Sequence, residues 1–485
     1  MNTKLLRQKI LDLAIRGKLT DQRKSDGTAR ELLEQISAKE SSSTSTLSSP
    51  RRRGSPSSSA AKTIIPLDKS EAPFEIPDNW EWVRLGDLCN ASSGKTPSTS
   101  QKEFWNGNVL WVTSKDVKQK YIDSTQIYLS DLGAKSMQLY PPKTMIIVGR
   151  SGILRHSLPV AILKKEATVN QDLKALVFKD DRVVEFVYSV LKGMEQHLLH
   201  EYKKAGTTVD NLNFDLFLTA PIPLPPLAEQ QRIVSKIEDA FAEIDAVEKN
   251  KELLKTHIKQ TRQKILDLAI HGKLVSQDEN DEPASVLLEK ILQEKAQSDT
   301  KKSSKKKKTD SIATSDNRPY EKVDCIEELE KSIPSKWTSC FLGDVISVIN
   351  GKNQSAVENA DGLYPIYGSG GMMGRADDYI CPENCTIIGR KGSINNPIFV
   401  PEKFWNVDTA FGLCPSRAIL AKYLYFFCLY FDFSSLDSST TLPSLTKTNI
   451  QQIKIVLPPL AEQKRIVDKV EDLFKSLDEI SFHLV

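Results

Sequence analysis

Several residue patterns in this chain could support catalysis, and each lacks a partner that the chemistry requires. Residues 93–96 read Ser-Gly-Lys-Thr, the end of a phosphate-binding loop, but Cys89 stands where that loop needs its first glycine. The glycine-rich cofactor loop and Asn/Asp-Pro-Pro-aromatic tetrapeptide typical of a methyltransferase are missing. The six histidines show no triad or metal-ligand spacing. The sequence therefore predicts a chain that is not an enzyme by itself.

The cysteines could in principle hold zinc. Cys381, Cys385, Cys414 and Cys428 are irregularly spaced, however, and no histidine is placed to complete a site. We expect buried free thiols and no metal site. The chain has seven cysteines, an odd number, and its charged first residues do not resemble an export signal. These features predict a reduced, cytoplasmic protein.

Length and composition favour a globular protein of two or three domains. The chain has 485 residues, of which 39% are apolar and 27% charged. No run approaches the roughly 18 apolar residues of a membrane helix. The net charge is +3, but nine positive charges lie in two short runs, at 51–53 and 301–308, and the rest of the chain sums to −6. A surface for nucleic acid must therefore be local, or a partner must supply part of it.

The chain repeats itself. Residues 6–19 and 261–274, LRQKILDLAIRGKL and TRQKILDLAIHGKL, match at 12 of 14 positions. Residues 224–239 and 457–472, LPPLAEQQRIVSKIED and LPPLAEQKRIVDKVED, match at 13 of 16. Fainter pairs lie between them: the segments 76–88 and 333–345, Gly94-Lys95 and Gly351-Lys352, Gly149-Arg150 and Gly389-Arg390, Asn170-x-Asp172 and Asn406-x-Asp408, and Thr207-Thr208 and Thr440-Thr441. The pattern indicates two related modules with different loops on a common frame.

The repeats have a circular order. In the middle of the chain the PPLAEQ element runs directly into the KILDLAI element, whereas the C-terminus carries only the first and the N-terminus only the second. Placed end to end, the two termini rebuild the central segment. We therefore expect an approximate two-fold arrangement in which the chain closes on itself.

Residues 227–270 predict one long helix. Apolar residues recur there every three or four positions, after Pro225-Pro226 and before Gly272. A helix of this length extends about 65 Å. Its narrow apolar stripe needs a partner helix, and the repeat copy is the obvious one, which gives an antiparallel pair. The alternative is two ordinary bundle helices packed on separate domains.

These elements predict an α+β protein with two mixed α/β modules and a pair of long antiparallel helices between them. The predicted order is an N-terminal conserved helical segment (1–36), a Ser/Arg-rich linker (37–70), a first module (71–222), a central long-helix spacer (223–292), a Lys-rich linker (293–320), a second module (321–456) and a C-terminal conserved helix (457–485). The basic runs of the linkers could contact phosphates or serve as solvated tethers.

The two PPLAEQ helices and the two KILDLAI elements, each joined to a variable module, resemble the DNA specificity subunit of bacterial type I restriction–modification systems. The resemblance covers nearly the whole chain. It implies that each module is a target recognition domain for one half of a bipartite site in double-stranded DNA, and that the helices set the spacing. It also implies docking of two methyltransferase subunits and two restriction/translocase subunits. S-adenosylmethionine, ATP and magnesium would belong to those partners.

Base recognition needs Arg, Lys, Asn, Gln and Ser/Thr at loop tips. We predict DNA contacts in the first module from Lys95, Thr96, Arg150, Ser151, Arg155, Thr207 and Thr208, and in the second from Lys352, Asn353, Gln354, Tyr367, Ser369, Arg390, Lys391, Asn395, Asn396, Thr440 and Thr441. Residues shared by both copies, such as Arg150 and Arg390, favour phosphate contacts that position the duplex, because different half-sites need different readers. Unshared residues favour base reading.

Other functions remain open from the residues alone. The same chain could serve a methylation-only or another multi-subunit system, since the cutting subunit is a separate protein. It could also be a non-DNA helical scaffold with two ligand-binding modules, which would show no salt-dependent affinity for DNA.

Overall fold

A computed structural model describes residues 2–45, 64–68, 70, 72–206, 208–303, 333–436 and 444–484. The chain divides into two units, Met1–Lys249 and Asn250–Val485, with the boundary inside one continuous helix. The predicted contacts of Thr207, Thr440 and Thr441, and the basic runs at 51–53 and 305–308, lie outside the described residues.

The first unit contains thirteen described strands and seven described α-helices, together with the beginning of the long helix. The helices are α1 (Thr3–Ile15), α2 (Ala29–Ser45), α3 (Leu85–Leu88), α4 (Asp131–Lys135), α5 (Val184–Gly193), α6 (Glu195–Tyr202) and α7 (Phe214–Phe217), and the long helix is α8 (Leu227–Ile270). The strands are β1 (Glu81–Arg84), β2 (Cys89–Ser93), β3 (Trp105–Val112), β4 (Tyr121–Ile122), β5 (Tyr128–Leu129), β6 (Met145–Val148), β7 (Arg150–Ser151), β8 (Val160–Leu163), β9 (Ala167–Val169), β10 (Leu173–Phe178), β11 (Lys203–Lys204), β12 (Asp210–Leu212) and β13 (Pro221–Leu224).

A five-stranded sheet in the order β2-β10-β6-β8-β4 forms the centre of the first module. Every residue of β6 and β8 is buried, which explains their uninterrupted apolar sequences. Two small sheets, β5-β3-β9 and β11-β12-β7, extend from it, and β1 pairs with β13 where the chain enters and leaves the module. Helix α1 packs on α5, where Gly193 lets Leu11 and Ile15 approach closely.

The second unit repeats this plan with fewer strands. Its described helices after α8 are α9 (Ala284–Ser303), α10 (Leu342–Val345), α11 (Ala421–Tyr430), α12 (Lys447–Gln451) and α13 (Leu460–Phe482). Its described strands are β14 (Thr338–Phe341), β15 (Ile346–Asn350), β16 (Tyr364–Gly368), β17 (Gly371–Ala376), β18 (Cys385–Gly389), β19 (Ile398–Val400), β20 (Trp405–Asn406), β21 (Ala410–Pro415) and β22 (Lys454–Leu457). The sheets are β15-β21-β18-β19, β17-β16-β20 and the pair β14-β22.

The predicted long helix is confirmed, since α8 spans the 44 residues Leu227–Ile270. Gly272 follows it at φ 65°, and Gly17 follows α1 at φ 66°. Both positions favour glycine, because a side chain there is strained in the left-handed conformation that ends a helix. A Cβ on either glycine would also press on Pro334 or Pro77.

Each half of α8 has an antiparallel partner inside its own unit. In the first unit Arg7 binds Asp245 at 2.6 Å and lies over the Phe241 ring, and Gln22 contacts Glu229 farther along. As the chain runs from Arg7 to Gln22, the contacted residues of α8 run from Asp245 back to Glu229, so the two segments are antiparallel. The second unit repeats these contacts. Arg262 binds Asp478 and lies over the Phe474 ring, and Gln277 contacts Glu462.

The PPLAEQ glutamate explains why the repeated motifs occur together. Glu229 is fully buried and accepts hydrogen bonds from Trp80 Nε1 at 2.9 Å and Gln22 Nε2 at 2.6 Å. In the second unit Glu462 accepts the same bonds, at the same distances, from Trp337 and Gln277. Burial raises the pKa of Glu462. Each glutamate therefore ties the long-helix element to a module's first tryptophan and to the segment after KILDLAI.

One helical turn after each of these glutamates, an arginine forms a second contact with the segment that follows KILDLAI. Arg232 binds Asp26 at 2.5 Å, and Arg465 binds Asp281 at 2.7 Å. Both aspartates have nearly buried side chains, and Arg232 lowers the pKa of Asp26 by hydrogen bonding. The repeated motifs of the sequence thus form a set of specific buried contacts that is made twice, once in each unit.

Some boundaries differ from the predicted ones. Helix α2 continues to Ser45 and α9 to Ser303, so both reach into the predicted linkers. Neither segment contains glycine or proline, so nothing in it ends a helix. Within the first module, residues 184–202 form two helices, α5 and α6, that are separated at Met194. Among the described residues, no helix is both long and apolar enough to cross a lipid bilayer.

One cysteine prediction is wrong. Cys385 and Cys414 form a disulfide between the neighbouring strands β18 and β21, with Cα atoms 4.6 Å apart. They are 29 residues apart in sequence, and only strand pairing places them opposite each other. Cys381 and Cys428 are buried thiols, as predicted.

Candidate nucleic-acid interface

The repeated short motifs of the first module lie side by side. The backbone N–H of Lys95 donates to the carbonyl of Val169 at 3.0 Å. The N–H groups of Gly149 and Arg150 both donate to the carbonyl of Asp172, at 2.8 and 3.2 Å. Three segments, 94–95, 149–150 and 169–172, are therefore joined at the loop after β9.

The glycine before Lys95 is required for this close approach. A Cβ on Gly94 would overlap the carbonyl oxygens of Val169 and Asn170. In the second module a Cβ on Gly351 would overlap the carbonyl of Val407 in the same way. The shared glycines therefore serve the fold, and the lysines that follow them, Lys95 and Lys352, are exposed.

Most predicted contact residues of the first module that the structure describes lie around this loop. Arg150 is exposed on β7, opposite Asn211 of β12. The Thr96 hydroxyl donates to Gln171, and Ser151 Oγ accepts from the N–H of Ile153 at 3.3 Å. Thr208 is exposed, and its carbonyl accepts from Arg155 at 3.4 Å.

Asp210 orients basic side chains at this surface, a role that its sequence position does not reveal. The carboxylate is buried and lies 3.8 Å from Arg155 Nε and 3.3 Å from Lys203 Nζ. The N–H of Gly206, together with Lys203 and Arg155, keeps the pKa of Asp210 below its ordinary value. The carboxylate therefore stays ionised at neutral pH and holds Arg155 on the surface.

The second module has the same backbone arrangement. Lys352 N–H donates to the carbonyl of Asn406 at 3.0 Å. The N–H groups of Arg390 and Lys391 both donate to Thr409, at 2.8 and 3.3 Å. The loop 406–409 thus corresponds to the loop after β9 and joins the same three segments.

The hydrogen bonds correct two predicted equivalences by a single residue, that of the Gly-Arg pairs and that of the Asn-x-Asp pairs, since Val169 and Asn406 are the matching acceptors. Gly149 and Arg150 share the carbonyl of Asp172, whereas Arg390 and Lys391 share that of Thr409. Lys391, rather than Arg390, therefore occupies the place of Arg150. Lys391 is exposed, whereas the Arg390 guanidinium lies 5.8 Å from the centre of the buried Phe411 ring. Successive strand residues face opposite sides, so a shift of one exchanges the two environments.

Some predicted base readers of the second module are engaged within the protein. Asn395 Nδ2 contacts Asp432 and donates to Ser434 Oγ at 2.7 Å, and its Oδ1 accepts from the N–H of Phe433 at 2.7 Å. Tyr367 is half-buried against Phe404, and burial raises the pKa of its hydroxyl. Both remain predictions as DNA contacts.

The remaining predicted residues are more accessible. Asn353 is exposed, and its side chain accepts from the N–H of Ser355 at 2.8 Å. Asn396 is exposed, Gln354 is half-buried, and Ser369 lies in the turn between β16 and β17. These four side chains are therefore at least partly accessible to solvent, and their contacts with DNA remain predictions.

Two tryptophans that sequence reasoning did not select support the lysine loops. Trp111 Nε1 donates to the carbonyl of Lys95 at 3.3 Å, and Trp405 Nε1 donates to that of Lys352 at 3.0 Å. They lie on different strands of their small sheets, β3 and β20. No common motif could have revealed the shared role. Within the described ranges, no group of three or more His, Cys, Asp or Glu side chains is arranged to hold a metal ion.

Comparison with known proteins gives the same two-part division. A family model described as the type I restriction modification DNA specificity domain matches residues 77–256 and 334–482. The EcoAI specificity subunit of Escherichia coli is 25% identical, over 99% of this chain and 90% of that protein. The MjaIX specificity subunit of Methanocaldococcus jannaschii is 24% identical, over 83% of this chain and 88% of that protein.

A solved structure shares the fold. That structure was described as showing the structural basis of complex assembly and conformational transition in the type I R-M system. The TM-score is 0.55 at 18% identity, with 85% of this chain and 94% of that chain covered. At this identity the likeness concerns the fold alone.

Proposed function

The chain belongs to the family of type I restriction–modification DNA specificity subunits, and we propose that its two modules read the two halves of one split, asymmetric DNA site. The observation that carries this proposal is the repeated backbone frame. Each module joins a Gly-Lys turn, a basic strand end and a central loop through equivalent hydrogen bonds, while the exposed side chains differ. A shared frame places both modules on DNA alike, and different side chains select different bases.

We propose that α8 and its partner helices form the spacer between the half-sites. A helix of 44 residues is about 66 Å long. That length corresponds to at most about 19 base pairs at 3.4 Å each. The spacer length would then limit the gap between the two half-sites.

The family implies DNA and partner subunits, and we propose a specific assembly. Two methyltransferase subunits would dock on the helical frame, and two restriction/translocase subunits would join for cleavage. S-adenosylmethionine, ATP and magnesium would bind those partners rather than this chain. The specificity subunit contributes recognition and placement, which agrees with a family defined by DNA specificity.

A methylation assay on random duplex DNA tests the proposal. The chain would be mixed with its methyltransferase subunit and S-adenosylmethionine, and modified sites would be read by sequencing. We expect a split motif with a fixed gap. A soluble assembled complex that methylates without sequence preference would contradict the recognition role.

A further inference from the structure

The hairpin β16–β17 carries two exposed methionines at its tip, and the predicted contact set does not include them. Its turn is Gly368–Gly371, followed by Met372 and Met373. The two methionines are 54% and 62% exposed. Large apolar side chains on a glycine-rich turn are unfavourable in water unless they meet a partner.

The tip lies beside the lysine loop of the second module. Tyr367 pairs with Asn406 in the parallel ladder of β16 and β20, and the N–H of Val407 donates to the carbonyl of Tyr367 at 2.9 Å. Asn406 is also the acceptor for Lys352. The hairpin tip, Lys352 and the Arg390–Lys391 segment therefore all surround the loop 406–409.

The turn allows a close approach to a ligand. A Cβ on Gly370 or Gly371 would meet no atom within 4 Å, so the space beside the turn is open. Gly371 has φ 128°, a conformation that side-chain-bearing residues rarely adopt. Met373 covers Gly368, with its sulfur 2.7 Å from where a Cβ would stand, so an apolar side chain lies against the turn.

The first module carries a polar loop at the corresponding place. Its strand β3 pairs in parallel with β9 at Val112 and Val169, and Val169 is the acceptor for Lys95. The residues that follow Val112 are Thr113–Asp116, where Asp116 accepts from the N–H and hydroxyl of Thr113 at 2.8 Å. The two modules thus present chemically different loops from one position of the same frame.

We propose that Met372 and Met373 are specificity-determining residues that read a thymine in one half-site through its 5-methyl group. This inference rests on the proposed function and adds a readout without hydrogen bonds. Flexible, polarisable methionine side chains suit apolar contact with a base edge. Lys352 and Lys391, exposed on the same surface, have the charge to hold the phosphates on either side.

The test compares wild type with the Met372→Ala/Met373→Ala double variant in the complete methylating complex. We expect the variant to lose preference for thymine at one position of the half-site read by the second module. The other half-site and the gap should not change. The Met372→Leu/Met373→Leu variant keeps apolar bulk and should retain the preference. Leu363→Ala, immediately before β16 and 69% exposed, is the matched control and should behave as wild type.

Replacing that thymine with uracil removes only the methyl group. Wild type should then methylate the site about fourfold less efficiently, the ratio expected for one buried methyl group. The alanine variant should not distinguish the two bases. An unchanged half-site in the alanine variant, or equal rates of wild type on thymine and uracil, would overturn the inference. Absence of any split motif with wild type would instead contradict the proposed function.

Discussion

Arg390 and Lys391 are neighbours in sequence with different surroundings. The one-residue shift between the modules places Lys391 where Arg150 stands, and both side chains are exposed. Arg390 lies over the Phe411 ring, where its guanidinium contributes to packing as well as charge. The predicted positioning role of Arg390 stays a prediction, and Lys391 becomes the closer counterpart of Arg150.

We expect Lys391→Ala to weaken DNA binding by the complex to a similar extent for all sequences. Loss of one phosphate contact should lower the slope of log affinity against log salt by about one. Arg390→Ala, measured in the same salt series, tests the prediction made from sequence for that residue. Lys391→Arg keeps the charge and serves as the control. A change in one base preference at an unchanged salt slope would show that Lys391 reads bases instead.

At the scale of elements, one buried carboxylate connects each long helix to a module. Glu462 holds Trp337 at the start of the second module and Gln277 beyond α8, and Glu229 does the same in the first unit. Burying these polar groups is tolerated because their hydrogen bonds are made. The frame therefore depends on a polar contact as well as on the apolar stripe.

We expect Glu462→Ala to lower the free energy of unfolding by about 1–3 kcal/mol, because the buried Trp337 N–H would lose its acceptor. Urea denaturation followed by circular dichroism measures the change. Glu471→Ala, on the same helix, removes an exposed ion pair with Lys422 and should cost less than about 1 kcal/mol. Trp337→Phe, which removes the donor, should make Glu462→Ala less costly. Equal effects of Glu462→Ala and Glu471→Ala would contradict this role.

At the scale of the whole molecule, each module is inserted between paired strands. Thr338 of β14 pairs with Leu457 of β22, and Glu81 of β1 pairs with Leu224 of β13. The chain therefore enters and leaves each module at adjacent strands. This arrangement allows one module to vary while the helical frame is kept, as the repeat pattern indicates.

We expect exchange of residues 342–453 for the matching segment of another family member to change one half-site only. The other half-site and the gap should be retained, because the first module and α8 are untouched. Sequencing of methylated sites gives the result. The corresponding exchange of residues 85–220 should change only the other half-site. Alteration of both halves by either exchange would contradict independent reading.

Sequence alone determined the family, the α+β class, the two modules and the long helix from Leu227 to Ile270. These features depend on repeats, on apolar spacing and on proline and glycine at helix ends, all of which are local in the chain. The joined motifs around Lys95 and Lys352 could likewise be predicted as pairs.

Only the tertiary structure decided which side chains face outward. Four features depend on contacts between distant segments of the chain: the shift that exposes Lys391, the acceptors Glu229 and Glu462, the Cys385–Cys414 bond, and the hydrogen bonds of Asn395 to the segment 432–434. A strand has a side-chain period of two, so a register difference of one residue exchanges buried and exposed faces. The spacing of residues along the chain does not predict that register, because the register is set by hydrogen bonds to a strand that is distant in sequence.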